Sequence, residues 1–125
     1  MGGNMETLSE QLKQRTKQFA LDVIRLFRSL PRTEEARVIG RQLLRSATSV
    51  AANYRATRRA RSRAEFLAKL GIVVEEADET VLWIELLKES NIVDIDKILP
   101  LEDESNQLLA LFAAAWYTAR RSKKT

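Results

Sequence analysis

The stretch Arg37–Leu87, RVIGRQLLRSATSVAANYRATRRARSRAEFLAKLGIVVEEADETVLWIELL, decides the fold. It contains two long helical patterns that meet at Arg59-Ala60-Arg61. Around the first arm Ala36, Gly40, Leu43, Ala47, Val50 and Tyr54 recur at helical spacing, and along the second Phe66, Leu70, Val73, Ala77, Ile84 and Leu87 do the same. Between the arms, Ser62-x-x-Glu65 is a capping box: the hydroxyl accepts from the amide of residue 65 and the carboxylate reaches back to the cap. The chain therefore reverses here and the arms lie antiparallel. Small side chains on the first arm allow a neighbouring helix to come close.

Charge separates the two arms. Residues 37–63 carry eight arginines and no acid, whereas residues 64–104 carry twelve acids against Lys69, Lys88 and Lys97, a net −9. Arg120, Arg121, Lys123 and Lys124 make the end of the chain basic again. The total, 21 Lys+Arg against 17 Asp+Glu, is only +4 with a pI near 9.7, so distribution matters more than sum.

Outside the central hairpin the two prolines act as punctuation, because proline costs about 3 kcal/mol inside a helix. Leu12, Phe19, Val23, Leu26, Phe27 and Leu30 place an amphipathic helix over roughly 8–30, closed by Pro31. Thr33 followed by Glu34 and Glu35 suits the next helix start, giving a span of 33–59, and the third helix runs over 62–89 with Ser90-Asn91 to end it. Residues 92–99 read as a connector, and a fourth helix is expected over 100–121 with Leu101, Leu108, Phe112, Ala115 and Ala119 inward. No stretch alternates with strand period. The expectation is a single all-α domain, an up-down-up-down antiparallel four-helix bundle. Met1-Gly2-Gly3-Asn4 reads as an added leader, with Met5 the natural start.

Composition also bears on function. With neither His nor Cys, the chain has no disulfide, no imidazole general base and no thiol nucleophile. The four carboxylates Glu75, Glu76, Asp78 and Glu79 spread over more than one helix face and lack the His that bundle metal sites add. The expectation is a non-enzymatic protein with no cofactor and no metal. No apolar run approaches the roughly 20 residues of a membrane span, and the N-terminus lacks a signal-peptide core. Cytoplasmic placement and no membrane partner are expected.

Two segments are more apolar than a small bundle needs. Val81-Leu82-Trp83-Ile84 with Leu86-Leu87 surrounds most of the third helix, and Leu108–Tyr117 is apolar throughout. A helix apolar on several faces is buried on several faces. This points to a homo-oligomer with Trp83, Leu109 and Trp116 at the interface; a wider core with Trp116 on the surface is the competing reading.

Gln42-Leu43-Leu44-Arg45-Ser46, Ser49-Val50-Ala51-Ala52-Asn53-Tyr54-Arg55, Arg58-Arg59-Ala60-Arg61-Ser62, Glu65-Phe66, Lys69-Leu70 and Glu76-Ala77-x-Glu79-Thr80-x-x-Trp83-x-x-Leu86-Leu87 together resemble the signature of the 23S rRNA intervening-sequence protein family. The resemblance covers the central two helices closely and the outer two in pattern. It implies a four-helix bundle assembling as a homopentamer. It also implies likeness to the accessory protein of diversity-generating retroelements, which binds nucleic acid and a reverse transcriptase. Ala56 stands where relatives often carry Glu, and Glu75 where Lys is common, so the charge pattern is not copied intact.

Arginine binds phosphate oxygens in bidentate fashion, and several on one surface neutralise several phosphates. Arg41, Arg55, Arg58, Arg59, Arg61 and Arg63 are therefore the candidate nucleic-acid ligands. The competing reading is a solvated helix end whose arginines pair with acids. Arg45 is set apart: a turn near residues 60–61 brings it level with Glu76, as a cross-helix ion pair. The expected function is nucleic-acid binding, RNA or RNA/DNA. The alternative is an adaptor that binds a protein partner such as a reverse transcriptase.

Overall fold

The computed structural model describes residues 7–122, so the leader reading at residues 1–4 lies outside it. Four helices, α1 (Leu8–Ser29), α2 (Glu34–Thr57), α3 (Arg63–Glu89) and α4 (Ile95–Arg121), pack as an antiparallel bundle. The α2–α3 and α3–α4 seams are the most extensive, the α1–α4 seam the least, and α1 stands diagonally across from α3.

Each start has a local cause. Thr7, Thr33 and Ser62 sit in extended backbone before α1, α2 and α3, and their hydroxyls accept from the amides of Glu10, Ala36 and Glu65. These bonds satisfy amides that have no partner inside the helix. Glu65 reaches one residue further back than the capping box predicts: its Oε1 accepts from the Arg61 amide at 2.8 Å, outside the helix cap itself. The end of α3 is a Schellman motif. Asn91 takes φ 62°, and the Ile92 amide turns back to the Leu87 carbonyl at 3.3 Å while the Asn91 amide bonds Lys88.

The start of α4 departs from the sequence reading. The helix begins at Ile95, not at Pro100, and Pro100 lies within it. The position explains why this is tolerated. Pro100 removes only a bond to the carbonyl of Asp96, which is in the exposed first turn and can be met by water. The helical turn so gained buries Ile98 completely in the core, an apolar gain of about 2 kcal/mol.

The core runs through Leu12, Phe19, Val23, Leu43, Val50, Leu70, Val73, Ile84, Leu87, Leu108 and Phe112. Tyr54 of α2 and Phe112 of α4 meet across the diagonal, ring centroids 5.2 Å apart. Gly40 sets the approach of α1 to α2: a Cβ there would stand 2.5 Å from the Leu30 side chain and 3.2 Å from that of Phe27. At mid-height the buried hydroxyls of Thr80 and Ser46 lie 2.8 Å apart, and both also reach carbonyls of their own helices. Polar groups placed there fix the register of α2 against α3, because shifting it would leave them unpaired.

Candidate nucleic-acid interface

One end of the bundle gathers the start of α1, the α2–α3 turn and the last turn of α4. It carries Arg58, Arg59, Arg61, Arg63, Arg120 and Arg121; the acids there, among the described residues, are Glu10 and Glu65. These arginines do not have equal freedom. Arg58 is ion-paired with Glu10 of α1. Arg63 donates to the main-chain carbonyls of Ala119 and Ser122, placing a cation on the negative end of the α4 dipole and fastening α4 to α3. Both side chains are committed to holding the end together.

Arg59 and Arg61 are different. Both are exposed in the turn, and neither has an acidic partner among the described residues. The one nearby carboxylate, Glu65, is held by one main-chain and one side-chain contact: the Arg61 amide and, at 3.9 Å, Lys69. Arg59 and Arg61 therefore put two exposed cations within three residues of one turn. Their mutual repulsion is a cost that an anion removes.

Sequence reasoning missed two contributors. Arg120 lies over the Trp116 ring, 5.1 Å from its centroid, and Arg121 over Tyr117 at 5.4 Å. The signal was an aromatic four residues before each arginine, which puts each pair on one helix face. A ring beneath a guanidinium holds it in one plane while leaving its donors open to solvent.

Arg41 and Arg55 lie elsewhere, on the outer face of α2, where neither has an ion-pair partner among the described residues. Arg55 lines the groove between α1 and α2 together with Lys17. Arg45 crosses to α3, with Nη1 3.2 Å from Glu76 and Nη2 2.6 Å from Glu79, and its Nε donates to Gln42 at 3.3 Å. Glu75 and Asp78 point to solvent. The residues named for an interface, Trp83, Leu109 and Trp116, are half-buried against the chain's own core, and Trp116 packs on Gly71 of α3. The exposed apolar side chains of α3 are instead Ile72, Leu82 and Leu86.

The family model for the 23S rRNA-intervening sequence protein matches residues 9–114, nearly the whole bundle. This chain belongs to that family. A crystal structure of a protein of unknown function from the S23 ribosomal protein family of Bacteroides thetaiotaomicron superposes with a TM-score of 0.79 at 30% identity, over 87% of this chain and 97% of that one. No curated protein matches the chain. The match ends at residue 114, so Trp116, Tyr117, Arg120 and Arg121 lie beyond the part the family model describes. Among the described residues, no helix is long and apolar enough to cross a membrane.

Proposed function

We propose that this protein is a non-enzymatic homo-oligomer that binds nucleic acid through the arginine end of its bundle. The observation that carries the reading is the pair Arg59 and Arg61, projecting without acidic partners from the turn, with Arg120 and Arg121 held on aromatic rings beside them. Arg58 and Arg63 act differently: they hold the three chain segments in place so that the other four present a fixed surface. Such a surface neutralises phosphates without reading bases, since among the described residues no strand platform or groove-inserting helix accompanies it. Binding is thus expected to be tolerant of sequence and steeply dependent on salt.

A homo-oligomer would strengthen such binding. Each copy supplies one patch, and several patches on one assembly convert weak contacts into strong ones. An electrophoretic binding assay with structured RNA, duplex DNA and an RNA–DNA hybrid tests the proposal. Retarded bands whose midpoints shift to higher protein concentration with added salt are expected. No retardation of any of the three at low salt would overturn it, and an adaptor bound to a protein partner would take its place.

A further inference from the structure

The bundle is open at its arginine end. A cavity of about 520 Å³ lies there, lined by residues of all four helices. The rings of Tyr54, Phe66 and Phe112 form part of its wall, and the small side chains of Ser9 and Ala115 leave the space unfilled. Sites for small ligands commonly occupy roughly 300–1,000 Å³. Two polar residues that line it are almost out of reach of water: Tyr54 is 7% exposed and Thr57 2%. The Thr57 hydroxyl donates to the Asn53 carbonyl at 2.9 Å, so its oxygen remains free to accept. The Tyr54 hydroxyl has only the Ser9 hydroxyl, 3.3 Å away. That is longer than the roughly 2.5–3.0 Å of a good O–H···O bond, so a better partner would be taken.

The rim is charged where the walls are not. Ala60 of the α2–α3 turn lines the cavity, and its neighbours along the chain are Arg59 and Arg61, the two exposed cations without acidic partners among the described residues. Arg58 also lines it, but Glu10 already neutralises that guanidinium. A ligand held here meets aromatic rings and buried hydroxyls inside, and unpaired cations outside. A flat ring with hydrogen-bonding edge atoms, joined to a phosphate, matches that distribution; an aliphatic anion would use neither hydroxyl. We infer that the cavity takes the base of an unpaired nucleotide of bound RNA, stacked among Tyr54, Phe66 and Phe112, with the adjoining phosphates on Arg59 and Arg61. This rests on the nucleic-acid reading and names what is bound: a bulged or single-stranded nucleotide, not a fully paired helix, whose bases are stacked on one another and cannot enter. Every base has a π face, so such a site tolerates any sequence.

Two RNA hairpins test the cavity by electrophoretic retardation. One carries a single bulged adenosine and the other an abasic residue at the same bulge, so every phosphate is kept and only the base is lost. The parent is expected to bind the bulged hairpin about tenfold more tightly than the abasic one, the factor that one stacked base supplies. The salt slope should be the same for both, because the phosphates are the same. Ala60→Leu with Ala115→Leu fills the cavity from residues that are only half-buried and exposed, and should bind both hairpins with the parent's affinity for the abasic one. Circular dichroism reports whether this variant keeps its helices; if it does not, Ala115→Leu alone replaces it with the same expectation. Free adenosine monophosphate, which brings a single phosphate, should displace the bulged hairpin only at concentrations far above the hairpin's own dissociation constant. Adenosine monophosphate that binds as tightly as the bulged hairpin would overturn the assignment to RNA. Equal binding of the two hairpins by the parent, or a filled variant that still prefers the bulge, would overturn the cavity's role while nucleic-acid binding stands. Binding of neither hairpin at low salt would overturn both.

Discussion

Arg45 of α2 stands 2.6 Å from Glu79 and 3.2 Å from Glu76, so a single guanidinium ties two successive turns of α3 to α2. Its own side chain is half exposed, whereas that of Glu76 is only 17% exposed. Arg45→Ala therefore leaves Glu76 the poorly solvated partner. The expected cost is about 1–2 kcal/mol, between the value of an exposed pair and that of a buried one. Double-mutant cycles by thermal or urea unfolding should show larger coupling of Arg45 to Glu76 than to the more exposed Glu79.

The α2–α3 turn depends on a cap that serves two amides. Ser62 accepts from the Glu65 amide at 3.0 Å and Glu65 accepts from the Arg61 amide at 2.8 Å. Ser62→Ala should destabilise by about 1 kcal/mol, the usual value of a lost N-cap. A denaturant midpoint that falls with an unchanged slope is the expected result.

Asn91 occupies the left-handed region at φ 62° where α3 ends. Asn91→Gly should match or exceed the parent's stability, while Asn91→Ala should fall below the glycine variant by about 1 kcal/mol, since a Cβ disfavours that backbone. Equal melting temperatures for the two variants would contradict the assigned turn.

Arg15 gives the pH dependence. Its guanidinium pKa is raised, first by the hydrogen bonds to Glu104, at 2.7 and 2.9 Å, against a smaller opposing effect of burial. A basic group with a raised folded-state pKa contributes stability that is complete below its unfolded value and lost only as pH rises through the folded one. For an arginine that loss falls at strongly alkaline pH, and the chain has no His or Cys. The melting temperature should stay flat across neutral pH; a transition there would contradict this picture.

The central hairpin was legible because its signals are local. Apolar spacing, the Ser62–Glu65 cap and the length of the arms place Arg45 opposite Glu76 with no knowledge of the rest of the chain. The start of α4 was not legible in the same way. Pro100 reads as a boundary on propensity alone, and only the burial of Ile98 against other helices justifies the turns before it. The arginine end was half legible. A run of arginines around residue 60 shows a charged turn, but which of them are engaged depends on segments far away in sequence. Glu10 takes Arg58 and the α4 carbonyls take Arg63, contacts spanning 48 and 56 or more residues. Arg59 and Arg61 are distinguished only by what does not reach them.

The salt dependence of nucleic-acid binding tests the central claim most directly. Each phosphate neutralised by an arginine releases counterions and steepens the fall of affinity with salt. The variant combining Arg59→Gln, Arg61→Gln, Arg120→Gln and Arg121→Gln leaves the Glu10–Arg58 pair and the Arg63 contacts in place, so its assembly should match the parent's. It should bind structured RNA more weakly than the parent, by a similar factor for unrelated sequences, and with a shallower slope of log affinity against log salt. A variant with the parent's affinity and the parent's slope would contradict the account.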